Sequence, residues 1–161
     1  MWNHLRTAEP LRFISGYLRL FLLSMLLVAC SEIRLVGAYD EVTDLGIQQV
    51  QGEVSSLFVT LEKNILTNDL QSNSYNNFKN TYNQIDGQIE SLQIRCGALP
   101  KYNQVLKQVN LLDSNMHLME KFHRSAGITD TLTIGLLKRT MVVSFRSMIV
   151  VQNALKREKI K

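Results

Sequence analysis

Apolar residues recur along the middle of this chain at intervals of three and four. Ile47, Val50, Val54, Leu57, Leu61 and Ile65 form one row. Tyr75, Phe78, Tyr82, Ile85, Ile89 and Leu92 form a second, and Tyr102, Val105, Val109, Leu112, Met116 and Met119 a third. At 3.6 residues per turn these intervals keep each row on one face, so each predicts an amphipathic helix. Asp40, Glu41 and Asp44 fall where acids complement the start of the first helix dipole. Thr67-Asn68-Asp69 breaks the first row, and Ser72 or Ser74 is placed to cap the second helix. Gly97 is expected just past the end of that helix, with Pro100 in the first turn of the third. Gly127 closes the third helix, and Thr129 or Asp130 caps the next.

A fourth helix, from about Thr131 to Arg157, is apolar round much of its circumference, through Met141, Val142, Val143, Phe145, Ile149 and Val150 among others. A helix of that kind is central in its fold or covered by a partner. No strand-period segments bounded by hairpin turns occur. The expected fold class is therefore all-α, an up-down-up-down four-helix bundle with short connections. The alternative is three helices with the fourth pairing between molecules.

Upstream of the helical rows the pattern changes. Leu20 to Val28 is an apolar run interrupted only by Ser24, preceded by Arg6, Arg12 and Arg19. A basic segment followed by so short an apolar core is the arrangement of a secretory signal peptide, too short for an ordinary spanning helix. The run ends in Leu27-Val28-Ala29-Cys30. That tetrad resembles the lipobox of bacterial lipoproteins, with Leu three places before an obligatory Cys and a small residue immediately before it. The resemblance implies cleavage between Ala29 and Cys30, thioether lipidation of Cys30 and acylation of the new amino terminus. Ser31 rather than Asp follows the cysteine. In enteric-type lipoproteins that implies sorting to the outer membrane, facing the periplasm. The expected organisation is a signal peptide over 1–29, a lipidated tether over 30–38 and a helical domain over 39–161.

The mature chain also loosely resembles small helical lipoproteins of Gram-negative bacteria that have no assigned activity. The matching stretches are Ala38-Tyr39-Asp40, Ile94-Arg95-Cys96-Gly97-Ala98-Leu99-Pro100-Lys101 and Ala154-Leu155-Lys156-Arg157. This second resemblance implies fold and location, and no catalytic residues.

Charge sharpens the picture at one end. The 161-residue chain has a net charge of +4. Residues 30–161 hold 15 Lys and Arg against 13 Asp and Glu, too even a balance for a nucleic-acid binder. Yet Lys138, Arg139, Arg146, Lys156, Arg157, Lys159 and Lys161 all lie in the last part of the chain, opposed there by Glu158 alone. Basic residues in a final helical turn complement the dipole. All seven together are expected to form a contact surface for an anionic envelope surface or an acidic envelope protein.

Candidate chemistry is sparse. Met116, Met119 and His123 share a helix face at i, i+3 and i+7, and thioethers with an imidazole suit soft Cu(I). The plainer reading is flexible core filler, with His123 at the rim. Non-covalent haem would need a methionine such as Met141 or Met148 from another helix, and the covalent C-x-x-C-H motif does not occur. With Cys30 lipidated, Cys96 is left alone, a small buried hydrophobe by type. Nucleotide-binding, serine-hydrolase and zinc-protease motifs do not occur. The polar positions from Gln71 through Asn76, Asn80 and Asn83 to Gln88 read as soluble surface or as a hydrogen-bonding face for a glycan or protein. The expected function is a membrane-anchored envelope lipoprotein with a helical interaction module, without catalytic activity, cofactor or nucleic-acid partner. The alternative is a periplasmic bundle that binds or senses a small ligand or metal.

Overall fold

A computed structural model describes residues 37–159. The lipobox residues Ala29 and Cys30, and Lys161 of the basic set, lie outside these residues. Four helices follow one another: α1 (Glu41–Leu66), α2 (Tyr75–Ala98), α3 (Asn103–Ala126) and α4 (Thr131–Lys159). One turn of 3₁₀ helix (Leu70–Asn73) stands between α1 and α2. Each packs on its neighbours in the chain, and α4 closes the ring against α1. The backbones of the diagonal pairs α1–α3 and α2–α4 stay more than 8 Å apart from Cα to Cα, as expected of a square up-down-up-down bundle. No strand occurs among the described residues, and none of their helices is long and apolar enough to cross a membrane.

The three rows become the core. Ile47, Val50 and Leu61 from α1, Tyr82, Ile85 and Ile89 from α2, and Val105, Val109, Leu112 and Met116 from α3 are fully or almost fully buried. A buried side chain of this size is worth about 1.5–3 kcal/mol over its exposed state, so three aligned rows supply most of the drive to close. α4 contributes Ile134, Met141, Phe145, Met148 and Leu155, with Leu137 and Val151 partly buried against them, while Leu132, Leu136, Val142, Val143 and Val150 are left exposed.

The turn chemistry matches the pattern at two places and departs from it at a third. Asp130 accepts a hydrogen bond from the Thr133 backbone N–H at 2.8 Å and caps α4. Gly127 ends α3 at φ 76°, a left-handed conformation that glycine takes without strain. Gly97, expected beyond the end of α2, instead lies inside its last turn. The helix stops one residue later because Leu99 precedes Pro100 and is held extended, at φ −86° and ψ 132°. Pro100 then sits in the connecting turn, with Lys101 at φ 61°, and α3 begins only at Asn103.

Two polar contacts fasten the entry to α1. Asp40 caps the helix, accepting from the Thr43 N–H at 2.9 Å and the Thr43 hydroxyl at 2.7 Å. Its carboxylate also takes a two-pronged grip from Arg95 of α2, Nε at 2.6 Å and Nη2 at 2.7 Å. That hydrogen-bonded guanidinium holds the Asp40 carboxyl well below the usual carboxylate range, against the opposing effect of burial. Just upstream, Gly37, in the stretch expected as tether, donates its N–H to the Lys101 carbonyl at 3.0 Å. A methyl group at Gly37 would come within 2.7 Å of the Pro100 carbonyl oxygen and 2.5 Å of the Tyr102 ring. The tether is therefore pinned to the bundle one residue earlier than its expected end.

Removing the cap with Asp40→Ala should cost about 1–2 kcal/mol in a denaturant titration, and more than Arg95→Gln, because it loses the cap as well as the ion pair. Equal costs for the two substitutions would contradict this division.

Candidate functional site

Two places in the bundle bring together the residues that carry chemistry in the sequence. The first is a buried polar hub at the end where α1 meets the 3₁₀ turn. Asn73, only 3 % exposed, donates from its side-chain amide to the Leu61 carbonyl at 3.1 Å and to the Ile128 carbonyl at 3.2 Å. Its side-chain oxygen accepts from Asn64 at 2.9 Å. Its backbone carbonyl lies 2.7 Å from Nε2 of His123. A carbonyl can only accept, so Nε2 carries the hydrogen, and Nδ1 of the neutral ring accepts from the Tyr82 hydroxyl at 3.0 Å. One asparagine and one histidine thus join α1, α2, α3 and the segment leading into α4.

His123 is consequently not at the rim. It is 2 % exposed, and burial pushes its pKa below the usual histidine value. Met116 and Met119 are fully buried on the same helix. The face expected from the sequence is real, but both ring nitrogens of His123 are engaged, and a metal ion there would have to displace Tyr82 or Asn73. Among the described residues no group of three or more His, Cys, Asp and Glu is placed to hold a metal ion. Cys96 is buried at the opposite end, and burial raises its thiol pKa. Beside the hub, Glu120 accepts from Tyr75 at 2.6 Å and from Arg124 at 2.6 Å. Burial works to raise the Glu120 pKa, and these two hydrogen bonds outweigh it, so the net shift is downward. Neither Asn73 nor Tyr82 announces this role in the sequence. Asn73 stands in a polar run that reads as surface, and Tyr82 in an apolar row.

The second place is the outer face of α4. Its core positions Ile134, Met141, Met148 and Leu155 are each followed two residues later by Leu136, Val143, Val150 and Arg157. Two residues turn a helix by about 200°, so this second row points away from the core. Val143 is 68 % and Val150 61 % exposed, and Leu136 is exposed too. Arg139 and Arg146 fall between them, exposed as well, giving a stripe in which apolar side chains alternate with guanidinium groups. That second heptad row was available in the sequence, hidden by the overall apolarity of the helix. The helix holds no acid before Glu158.

The basic residues expected as a contact surface do not all stand in one role. Lys138 is committed to Glu62 of α1, with Nζ at 2.9 and 3.0 Å from the two carboxylate oxygens. Lys156 and Lys159 lie over the Tyr39 ring, 5.6 and 5.5 Å from its centre. Arg139, Arg146 and Arg157 make no hydrogen bond or ion pair among the described residues. The polar face of α2 is on the other side of the bundle, since α2 and α4 are a diagonal pair. Part of that polar face is used internally: Gln84 and Gln88 donate to Glu53 of α1 at 2.9 and 2.6 Å.

No protein-family model, no curated protein and no solved structure matches this chain.

The hub has a pH signature. His123 is neutral in the fold and its folded pKa lies below the unfolded value, so unfolding takes up a proton. Stability should be full above about pH 6.5 and fall as the pH drops from there toward the lower folded value. His117 acts in the opposite sense. Its pKa is raised, first by the hydrogen bond to the Asp113 carbonyl, so its contribution is lost as pH rises. In His117→Asn protein, denaturant titrations between about pH 7.5 and 5 should show the fall, and adding His123→Gln should abolish it. An unchanged slope in the double variant would remove His123 as the source.

Proposed function

We propose that this protein is an envelope lipoprotein, anchored by lipid on Cys30, whose helical bundle works as a contact module with the outer face of α4 turned to an anionic membrane surface. The observation that carries the reading is the α4 stripe. Leu136, Val143 and Val150 supply apolar contact, while Arg139, Arg146 and Arg157 are exposed cations without partners among the described residues. A long guanidinium side chain can lie along an apolar surface and keep its charged end at the phosphate level.

Position supports the same reading. The chain enters the bundle at Gly37, next to Lys101. Tyr39, two residues on, lies under Lys156 and Lys159 at the end of α4. Cys30 is seven residues upstream of Gly37, a reach of at most about 25 Å. An anchor at Cys30 would therefore hold the basic end of α4 near the headgroups. Several acyl chains at about 0.8 kcal/mol per buried CH₂ make such an anchor effectively permanent. The helix face then sets the orientation of the domain and not its affinity. An acidic envelope protein meeting the same stripe is the second reading, favoured by the heptad spacing of its apolar positions.

Two measurements address the two parts. Cys30→Ser should abolish incorporation of labelled palmitate and release the protein from membranes; retained label would end the lipoprotein reading. In residues 30–161 carrying Cys30→Ser, the domain should bind phosphatidylglycerol vesicles in a salt-sensitive way. At about 1 kcal/mol per basic residue, Arg139→Gln, Arg146→Gln and Arg157→Gln together should weaken that binding by about two orders of magnitude. Binding unaffected by salt and by the triple substitution would contradict an electrostatic contact.

A further inference from the structure

α1 and α4 close the ring, but they do not fill the space between them on the outside. A groove runs along their contact. Its floor is Val54 and Phe58 of α1 with Met141 and Phe145 of α4, all buried. Its lips are Val59, Val142 and Val150, each about half exposed or more. The polar groups lining it are Gln51 and Ser55 on one wall and Lys138 and Arg146 on the other, with no carboxylate. Lys138 is neutralised by Glu62, whereas Arg146 has no partner among the described residues. A groove with an apolar floor and one available cation suits an amphiphile with a negative head and a hydrocarbon tail.

Its dimensions favour a chain over a helix. The empty space, open mouth included, is about 840 Å³. Lys138 and Val150 are about 18 Å apart along the axis at 1.5 Å per residue. Spread over that length, the space has a section of about 47 Å². A helix about 10 Å across has a section of about 80 Å², so a helix could only lie over the mouth. A polymethylene chain, whose carbons rest about 3.5–4.0 Å from their neighbours, fits inside and reaches Phe58 and Phe145. Arg146 belongs both to this groove and to the outward stripe, so a headgroup bound there would lie level with the membrane-facing side chains.

We infer that the α1/α4 groove binds one acyl chain of an anionic phospholipid, with Arg146 holding the phosphate. The inference rests on the membrane-facing reading of α4, which supplies the lipid. It adds to a flat electrostatic contact one stoichiometric site with a preference for a negative headgroup. A lipid with a tail drawn into the groove locks the bundle to the bilayer at a defined rotation, which the arginine stripe alone does not.

The test is native mass spectrometry of the full protein, extracted from membranes in detergent and titrated with dioleoyl phosphatidylglycerol or dioleoyl phosphatidylcholine. The expected result is one bound phosphatidylglycerol per protein. Ser55→Trp and Val142→Trp, which fill the groove from opposite walls and keep every charge, should each lower that binding by about tenfold. Arg146→Gln should erase the preference for phosphatidylglycerol over phosphatidylcholine. Helical circular dichroism of each variant checks that the bundle is intact. The inference is overturned if no lipid binds, if both tryptophan variants bind as the wild type does, or if a photo-crosslinker at Val142 captures a polypeptide in place of lipid. Vesicle binding by the Cys30→Ser protein should survive Ser55→Trp. Wild-type protein that captures no phosphatidylglycerol while its Cys30→Ser form still binds vesicles would end the groove and leave the membrane reading standing, whereas loss of vesicle binding as well would end both.

Discussion

The bundle depends on a buried amide. Asn73 spans from the Leu61 carbonyl near the end of α1 to the Ile128 carbonyl before α4, and its own carbonyl receives His123 of α3, which in turn takes the Tyr82 hydroxyl of α2. Four helices held only by apolar rows could slide by a turn against one another, because hydrocarbon contact is not directional. A hydrogen-bonded group in a dry interior accepts one register, since leaving it unmade costs about 1–3 kcal/mol. The hub fixes one end of the bundle. The grip of Arg95 on Asp40 fixes the other, where the Tyr102 hydroxyl accepts from the Asp40 backbone N–H at 3.2 Å and the Tyr102 ring packs close to Gly37.

With both ends fixed, the outer surface of α4 is held in a definite place. Its core row and its outer row are set about 200° apart by the geometry of the helix, so any helix that buries Ile134, Met141, Met148 and Leu155 must present Leu136, Val143, Val150 and Arg157 outward. The proposed membrane contact is thus a consequence of how α4 packs. The same packing leaves the α1/α4 groove open beneath Arg146, because Val54 and Phe58 meet Met141 and Phe145 at the floor and nothing larger fills the mouth. α2, diagonal to α4, carries the asparagine- and glutamine-rich side away from it.

Much of this fold was legible from spacing alone. The three rows identify α1, α2 and α3 by face and by residue, and Gly127 with Thr129 or Asp130 marks the last turn, where Asp130 proves to be the cap, because capping and left-handed backbone are local chemistry. Gly97 does not mark the end of α2, because the restriction that Pro100 imposes on Leu99 decides where the helix stops. The burial of Asn73 and His123, which spacing places at surface and rim, depends on partners 9 to 55 residues away, and no periodicity reports them. The outer stripe of α4 is legible in the heptad register of Leu136, Val143 and Val150, but the apolarity of the helix around most of its circumference masks it. Cys30 and its lipobox rest on sequence resemblance and lie outside the described residues.

In the proposed orientation the bundle sits with α4 toward the bilayer and α2 away from it. Spin labels placed singly at Leu136, Val143 and Val150 on α4, and at Asn80 and Asn83 on α2, in the lipid-anchored protein on phosphatidylglycerol-containing membranes measure this directly. Collision with oxygen, which concentrates in hydrocarbon, should be high at the three α4 positions, while collision with a water-soluble nickel complex should dominate at the two α2 positions. Equal nickel accessibility at all five sites would show a domain that hangs free of the membrane, and would contradict the account.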